Sequence, residues 1–326
     1  MSLPLNLAQL FWAGMNDDRE KHQAGEITKL GNLRAGDSGA MTKAGDVVGG
    51  CHRRAYIRSF NGIEVDPPSS DRLIMFELGK ANEVIWLDKL KRTWPGLLKQ
   101  EEEIPIKWAT SNGVNVTGRP DTVLCHADGK PVLGIEHKAV CSLWTAREVS
   151  FELTPQMKHL LQAAHYSWKL NVPYRLVYTQ YTDFTMPEWS KKFFPPGHPL
   201  VEVNEKNEPK KVLPHITIFE IGFSPDGTIR YRLEGQSSSH SSQDTVYPAS
   251  GWTNTVLTRD DIERYYEFIS EMGTKKALGP RPSPWKPSGK NKGYKDCDYC
   301  PLADICDKYE NKWEKWHDEI KARYTK

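Results

Sequence analysis

The chain lacks any run approaching the roughly 20 consecutive apolar residues that span a bilayer, so no transmembrane helix and no membrane partner are expected. A recognisable export leader is missing too. The apolar stretch from Leu3 to Met15 has no basic lead-in, is broken by Pro4, Asn6 and Gln9, and runs into Asp17-Asp18; a cytoplasmic location is the expectation. Excess charge of either sign is absent. With 44 Lys and Arg against 42 Asp and Glu, the balance of +2 neither demands nor excludes a nucleic-acid partner, because basic residues can gather on one face. No internal repeat is visible, which excludes solenoids and propellers. Cysteine is scarce, at six in 326 residues, and in a cytosolic chain that argues against disulfides. The hydrophobic fraction, 38%, suffices for a full core in one large domain or a domain with a sizeable insertion.

From Asp71 to about Arg92 the apolar pattern is helical, with Ile74, Leu78, Ala81 and Ile85 forming a stripe suited to packing on a sheet. Three strand-like runs follow: Glu103 to Trp108, Gly113 to Cys125 and Val132 to Ala139. The Asp128-Gly129 pair between the last two signals a hairpin, making them antiparallel neighbours. Thr154 as N-cap and Pro155 at the first helical position then start a helix reaching about Leu170, and Tyr174 to Tyr181 is the next strand. Helix, three strands, helix, strand makes a compact α/β core. Further on come a hairpin around Pro225-Asp226-Gly227, a helix from Asp260 to Met272, and a last helix carrying Tyr309, Trp313, Trp316, Ile320 and Tyr324. The expected division is an N-terminal arm (1–50), a core with the first cysteine (51–182), an insertion (183–293) and a C-terminal segment with its helix (294–326).

Within the core, Glu136 and Lys138 stand two apart on a strand and leave the same face, while the His137 side chain points away. Asp121, just after Gly118-Arg119-Pro120, lies across the hairpin. Two carboxylates and one ammonium can therefore converge on one patch of sheet. Cutting a phosphodiester needs a cation to offset phosphate charge and to generate hydroxide, and Mg²⁺ or Mn²⁺ prefers such hard oxygen ligands. Asp121 and Glu136 would hold the metal, and His137 could add only its backbone carbonyl. Lys138 would orient the attacking water and offset transition-state charge. Glu83, on the first helix one turn after Gly79, could complete the ligand set. Gln162 and Tyr166 share a face of the second helix and could bind a phosphate or position Lys138. An isolated Glu-x-Lys would be worth little; in solvent it is an ion pair. Val132, Leu133 and Ile135 make this strand too apolar for that.

Gly79-x3-Glu83, Gly118-Arg119-Pro120-Asp121, Glu136-His137-Lys138 and Gln162-x3-Tyr166, in this order, resemble the successive motifs of RecB-type nucleases of the PD-(D/E)XK superfamily. Many relatives have His where this chain has Glu83. Four thiols, Cys51 and the set Cys297-x2-Cys300-x5-Cys306, could by themselves hold zinc or an iron–sulfur cluster. Their spacing resembles the iron–sulfur subgroup that includes the CRISPR-associated RecB-like exonucleases and the AddB nucleases. The resemblance implies a restriction-endonuclease-like core, a 4Fe–4S cluster clamping the N- and C-terminal segments, and metal-dependent DNA cleavage preferring ends or single strands. It leaves room for a homo-oligomer or a recombination- or CRISPR-type partner protein. The alternative is a catalytically silent module that binds DNA ends or a partner.

Overall fold

Alternating and continuous apolar runs between residues 122 and 180 build the centre of the fold. In the computed structural model the described residues are 31–61, 70–93, 98–99, 104–181, 184–185, 201–203, 209–212, 216–237, 250–276, 278, 300, 302 and 306. In chain order, β1 (Asn32–Arg34), β2 (Gly39–Met41) and β3 (Val47–Gly49) precede α1 (His52–Asn61) and the long α2 (Ser70–Thr93). Then come β4 (Leu98–Lys99), β5 (Ile106–Ala109), β6 (Asn115–Gly118), β7 (Thr122–Cys125) and β8 (Pro131–Val140). A short helix α3 (Leu143–Ala146) and a π-type passage (Arg147–Phe151) lead to α4 (Met157–Leu170) and β9 (Tyr174–Gln180). The remainder is β10 (Phe184–Thr185), β11 (Val201–Val203), β12 (Pro209–Val212), β13 (Ile216–Phe223), β14 (Thr228–Ser237), β15 (Thr253–Thr258) and α5 (Arg259–Lys275). This is a mixed α/β fold. Among the described residues no helix is long and apolar enough to cross a membrane.

Two compact units divide the chain, each assembled from separated pieces. One comprises the described residues within 1–81, 107–118 and 261–326. It contains the sheet β1-β6-β5 and the hairpin β2-β3. Its core includes Leu33, Tyr56, Ile57, Tyr265 and Tyr266, all at most 1% exposed. Arg53 is buried there and Arg58 pairs with Asp37 at 3.0 Å, so these two bases on α1 serve the unit's interior.

The other unit comprises the described residues within 82–106 and 119–260. Its seven-stranded sheet has the order β15-β14-β13-β9-β8-β7-β4. β8 and β9 are parallel, joined through α3 and α4, whereas β7-β8 and β9-β13 are antiparallel. The expected hairpin between β7 and β8 is present: Gly129 takes a left-handed φ of 81°, and His126 and Lys130 close the turn. The second hairpin is present too, and β13 pairs with β9. Sequence read as an insertion thus supplies three strands of the central sheet.

Three local expectations are corrected. The run from Gly113 to Cys125 is not one strand but two, β6 and β7, which enter different sheets. Pro120 between them has no N–H for a ladder and restricts the residue before it. The second helix starts at Met157, with Gln156 at its cap and no side-chain cap bond; the Thr154 hydroxyl instead donates to Glu152 O at 3.0 Å. On α2, Leu78 and Ile85 are exposed by 37% and 54%. The face toward the sheet holds Asn82, Trp86 and Leu90, with Trp86 Nε1 donating to Thr179 Oγ1 at 2.9 Å. Apolar residues surround much of this helix, so their period alone points to no single face. Residues 1–30, Cys297 and the expected last helix carrying Tyr309 to Tyr324 lie outside the described residues.

Candidate active site

Pleating sends successive β8 side chains to opposite faces. Ile135 and His137 meet α2, where Trp86 packs on Ile135 and lies 6.0 Å from the His137 ring. Glu136 and Lys138 meet α4. The Lys138 ammonium donates to Glu136 Oε1 at 2.5 Å and to Gln162 Oε1 at 3.3 Å. Asp121, immediately before β7, accepts the His137 backbone N–H on Oδ2 at 2.8 Å. The hairpin and the crossover helix thus bring Asp121, Glu136, Lys138 and Gln162 together. Glu83 is half-buried on α2 and near enough to disfavour Glu136 ionisation and to favour the Lys138 ammonium. Tyr166 is buried with its ring 6.1 Å from that of Tyr174; it forms part of the wall. The His137 imidazole faces away, beside Thr122 Oγ1 at 3.3 Å, and burial, aided by Lys138, brings its pKa down to about 4.

Glu136 is completely buried. Burial, then the neighbouring Asp121 charge, pushes its pKa up to about 8, against the opposing pull of Lys138. Burial also raises Asp121, although Lys138, the His137 N–H and Glu136 work the other way. For Lys138, burial lowers the pKa, but Glu136 and Asp121 outweigh it and the net direction is up. The ammonium therefore stays charged while the carboxyl pair retains a proton near neutrality.

Glu136 Oε2 is buried and has no hydrogen-bond partner. A buried acceptor left unmade is costly, and a hard cation ringed by carboxylate oxygens would satisfy it. The oxygen donor set therefore fits Mg²⁺ or Mn²⁺. Among the described residues no three His, Cys, Asp or Glu side chains group closely enough to form a ready-made cage. Two carboxylates completed by water is the arrangement these donors support, a habit of Mg²⁺ in particular.

Cys51 precedes α1 and its carbonyl takes the Ala55 N–H; Cys306 donates its N–H to the carbonyl of the buried Leu302 at 3.0 Å. Cys51, Cys300 and Cys306 are half-buried, and no disulfide forms among the described residues. Thiols as a type suit a soft metal centre, but the three described ones do not gather into a group that could hold a metal. Cys125 is fully buried and Cys141 half-buried, and burial raises both thiols.

Sequence reasoning passed over His159, Tyr174 and Tyr178. His159 precedes Gln162 by three residues and so shares its helix face, and Tyr174 and Tyr178 lie on β9 at the even spacing that shares a sheet face. Tyr174 pairs in register with Gly134 and Tyr178 with Lys138. A Cβ at Gly134 would run into the Tyr174 ring, so the glycine makes room for that tyrosine. Gly134→Ala is expected to cost about 1–3 kcal/mol by overpacking, measurable by urea unfolding; an unchanged midpoint would mean the ring can shift aside.

Compared with known proteins, the chain matches no family model and no curated sequence. Among solved structures it is similar to one described as the crystal structure of SSO0001, at 14% identity and a TM-score of 0.44, covering 92% of this chain and 98% of that one.

Proposed function

We propose that this chain is a metal-dependent DNA nuclease, an exonuclease of the RecB type in the PD-(D/E)XK superfamily, with a restriction-endonuclease-like core. The observation that carries this is the half-buried Asp121 beside the sealed Glu136, both near Lys138, with Glu136 Oε2 lacking any partner. Buried carboxyls whose proton is held only by their surroundings are what a cation would displace. Mg²⁺ or Mn²⁺ bound there would supply positive charge to the phosphate and acidify a water. Asp121 and Glu136 would hold it, with the His137 N–H fixing Asp121; Glu83 and the His137 carbonyl are the further ligand candidates. Lys138, charged and steadied by Gln162, is placed to orient a water and to offset negative charge as the phosphodiester opens. Tyr166 closes the wall behind them. The preference for ends or single strands, and a 4Fe–4S cluster on Cys51, Cys297, Cys300 and Cys306, rest on the motif resemblance.

The test is degradation of end-labelled single-stranded and duplex DNA by anaerobically purified protein. Loss of full-length label with Mg²⁺ or Mn²⁺ and none with EDTA is the expected result. Tight DNA binding with no cut product under any divalent metal would overturn the assignment and leave a binding module.

A further inference from the structure

The first turn of α4 holds a group that the carboxylate chemistry does not use. His159 stands one turn before Gln162, facing β9, and its Nδ1 is 3.1 Å from Tyr178 Oη. That phenol oxygen also receives the Gln156 backbone N–H at 3.1 Å. The backbone N–H can only donate, so the phenol accepts there and keeps one proton to give. With Tyr178 only 2% exposed, that proton has one acceptor within reach among the described residues, His159 Nδ1. Leaving it unbonded in the interior would cost a desolvated donor. Nδ1 is therefore the acceptor nitrogen, and in neutral imidazole the hydrogen then sits on Nε2.

The surroundings keep the ring neutral. Burial, then Lys138 from β8 and Lys158 from its own helix, pulls the His159 pKa well below its ordinary value. The remaining nitrogen, Nε2, makes no hydrogen bond among the described residues and is not among the sealed, unbonded atoms, and the ring lies near enough to the site to feel the Lys138 charge. Tyr178, the register partner of Lys138, fixes where the ring stands. The start of a 14-residue helix adds a field that favours an anion, opposed by the Glu148 carboxylate 3.4 Å from Gln156 Nε2.

We propose that His159 is a positioning residue whose Nε2–H donates to a phosphate oxygen of the bound strand, with Tyr178 and the Gln156 N–H locking its tautomer. This rests on the nuclease assignment for the identity of the anion. Two carboxylates repel a phosphodiester and already engage the Lys138 ammonium. A neutral N–H aimed at the phosphate anchors the strand while leaving the Lys138–Glu136 pairing undisturbed.

The experiment has two arms, both without turnover. In the first, long-range ¹⁵N–¹H spectra of histidine-labelled, metal-free protein are recorded from pH 8 to pH 5.5, with His159→Gln giving the assignment. The Nε2–H tautomer should persist over the whole range in the wild type and be lost in Tyr178→Phe; an Nδ1–H tautomer or an imidazolium signal overturns the proposal. In the second, binding of a 5′-fluorescein thymidine oligonucleotide is followed by anisotropy in Ca²⁺. His159→Leu should weaken Kd on the order of tenfold, and His159→Gln, which retains an N–H near that place, by less than about threefold. Equal affinities of the Leu variant and the wild type overturn the proposal, and the Gln and Tyr178→Phe variants carry the comparison should Leu prevent folding. If His159-dependent binding is found but Mg²⁺ and Mn²⁺ give no cleavage, the nuclease assignment fails and the donor stands. If the protein cuts DNA and His159→Leu leaves KM and kcat unchanged, the donor fails and the nuclease stands.

Discussion

Replacing Glu136 with Gln is expected to lower metal-dependent cleavage by on the order of 10²–10³-fold or more, the scale seen when one preorganised electrostatic group is removed, while removing a loss of stability at higher pH. Both effects come from one buried carboxyl. Its pKa of about 8 in the fold, against an ordinary 4.5, means that between these values the folded chain keeps a proton that the unfolded chain has released. The Glu136 contribution to the stability of the metal-free protein therefore falls as pH rises from about 4.5 to about 8, by on the order of a few kcal/mol, while His137, His159 and His165, whose pKa values burial lowers, contribute the opposite slope as pH rises through their ordinary 6.5. Above that window both states are ionised and the loss is complete. Gln cannot ionise, so E136Q should show little of this slope. Urea unfolding in EDTA at pH 5.5 and 8.5 measures it. Because the buried histidines work in the opposite direction, the readout is the wild type against E136Q: an equal change in stability between the two pH values in both proteins would refute the buried-acid account. In the wild type, Mn²⁺ should raise the melting temperature more at pH 8.5 than at pH 5.5, because metal ligation requires the deprotonated pair.

Loss of the proposed cluster is expected to be the largest single blow to stability. Joining Cys51 to the C-terminal cysteines closes a loop of about 245 residues, for which loop entropy gives about 5 kcal/mol by analogy with a disulfide cross-link. Cys51 opens α1, whose Ala55, Tyr56 and Ile57 are core residues, and Leu302 beside Cys306 is buried as well, so both ends of the clamp adjoin ordered interior. Cys51→Ala and Cys306→Ala should each lose iron, acid-labile sulfide and the brown colour, with a melting temperature lower by many degrees. Stoichiometric zinc with neither iron nor sulfide in the wild type would replace the cluster with a zinc clamp. Unchanged stability in the Cys51 variant would remove the clamp altogether.

How far the site could be read in advance follows from the range of each interaction. The Glu136-x-Lys138 alternation and the Asp128-Gly129 turn are local, within a few bonds along one hairpin, and the register Thr122↔Ile135 brings Asp121 to the strand they form. The same locality failed on α2. Apolar side chains on several of its faces gave a stripe through Leu78 and Ile85 that the fold exposes, and the choice of Trp86 was made by Thr179, Leu124 and Val177 on strands far along the chain. The break at Pro120 was visible as a residue without an N–H, yet which sheet each half joined was not. His159 carried no motif at all; its role comes from Tyr178, brought beside Lys138 by the parallel pairing of β8 with β9.

The amino-acid sequence by itself determined the α/β character, the two hairpins and the carboxylate, lysine and glutamine residues of one candidate site, because turn chemistry and pleat period act between near neighbours. Only the tertiary structure decided that the hairpin near residue 225 extends the central sheet, that Glu136 is sealed with an unbonded oxygen and an elevated pKa, and that Tyr174 needs Gly134. Those outcomes depend on burial and on register between segments distant in the chain, and desolvation of a charge is a property of everything packed around it.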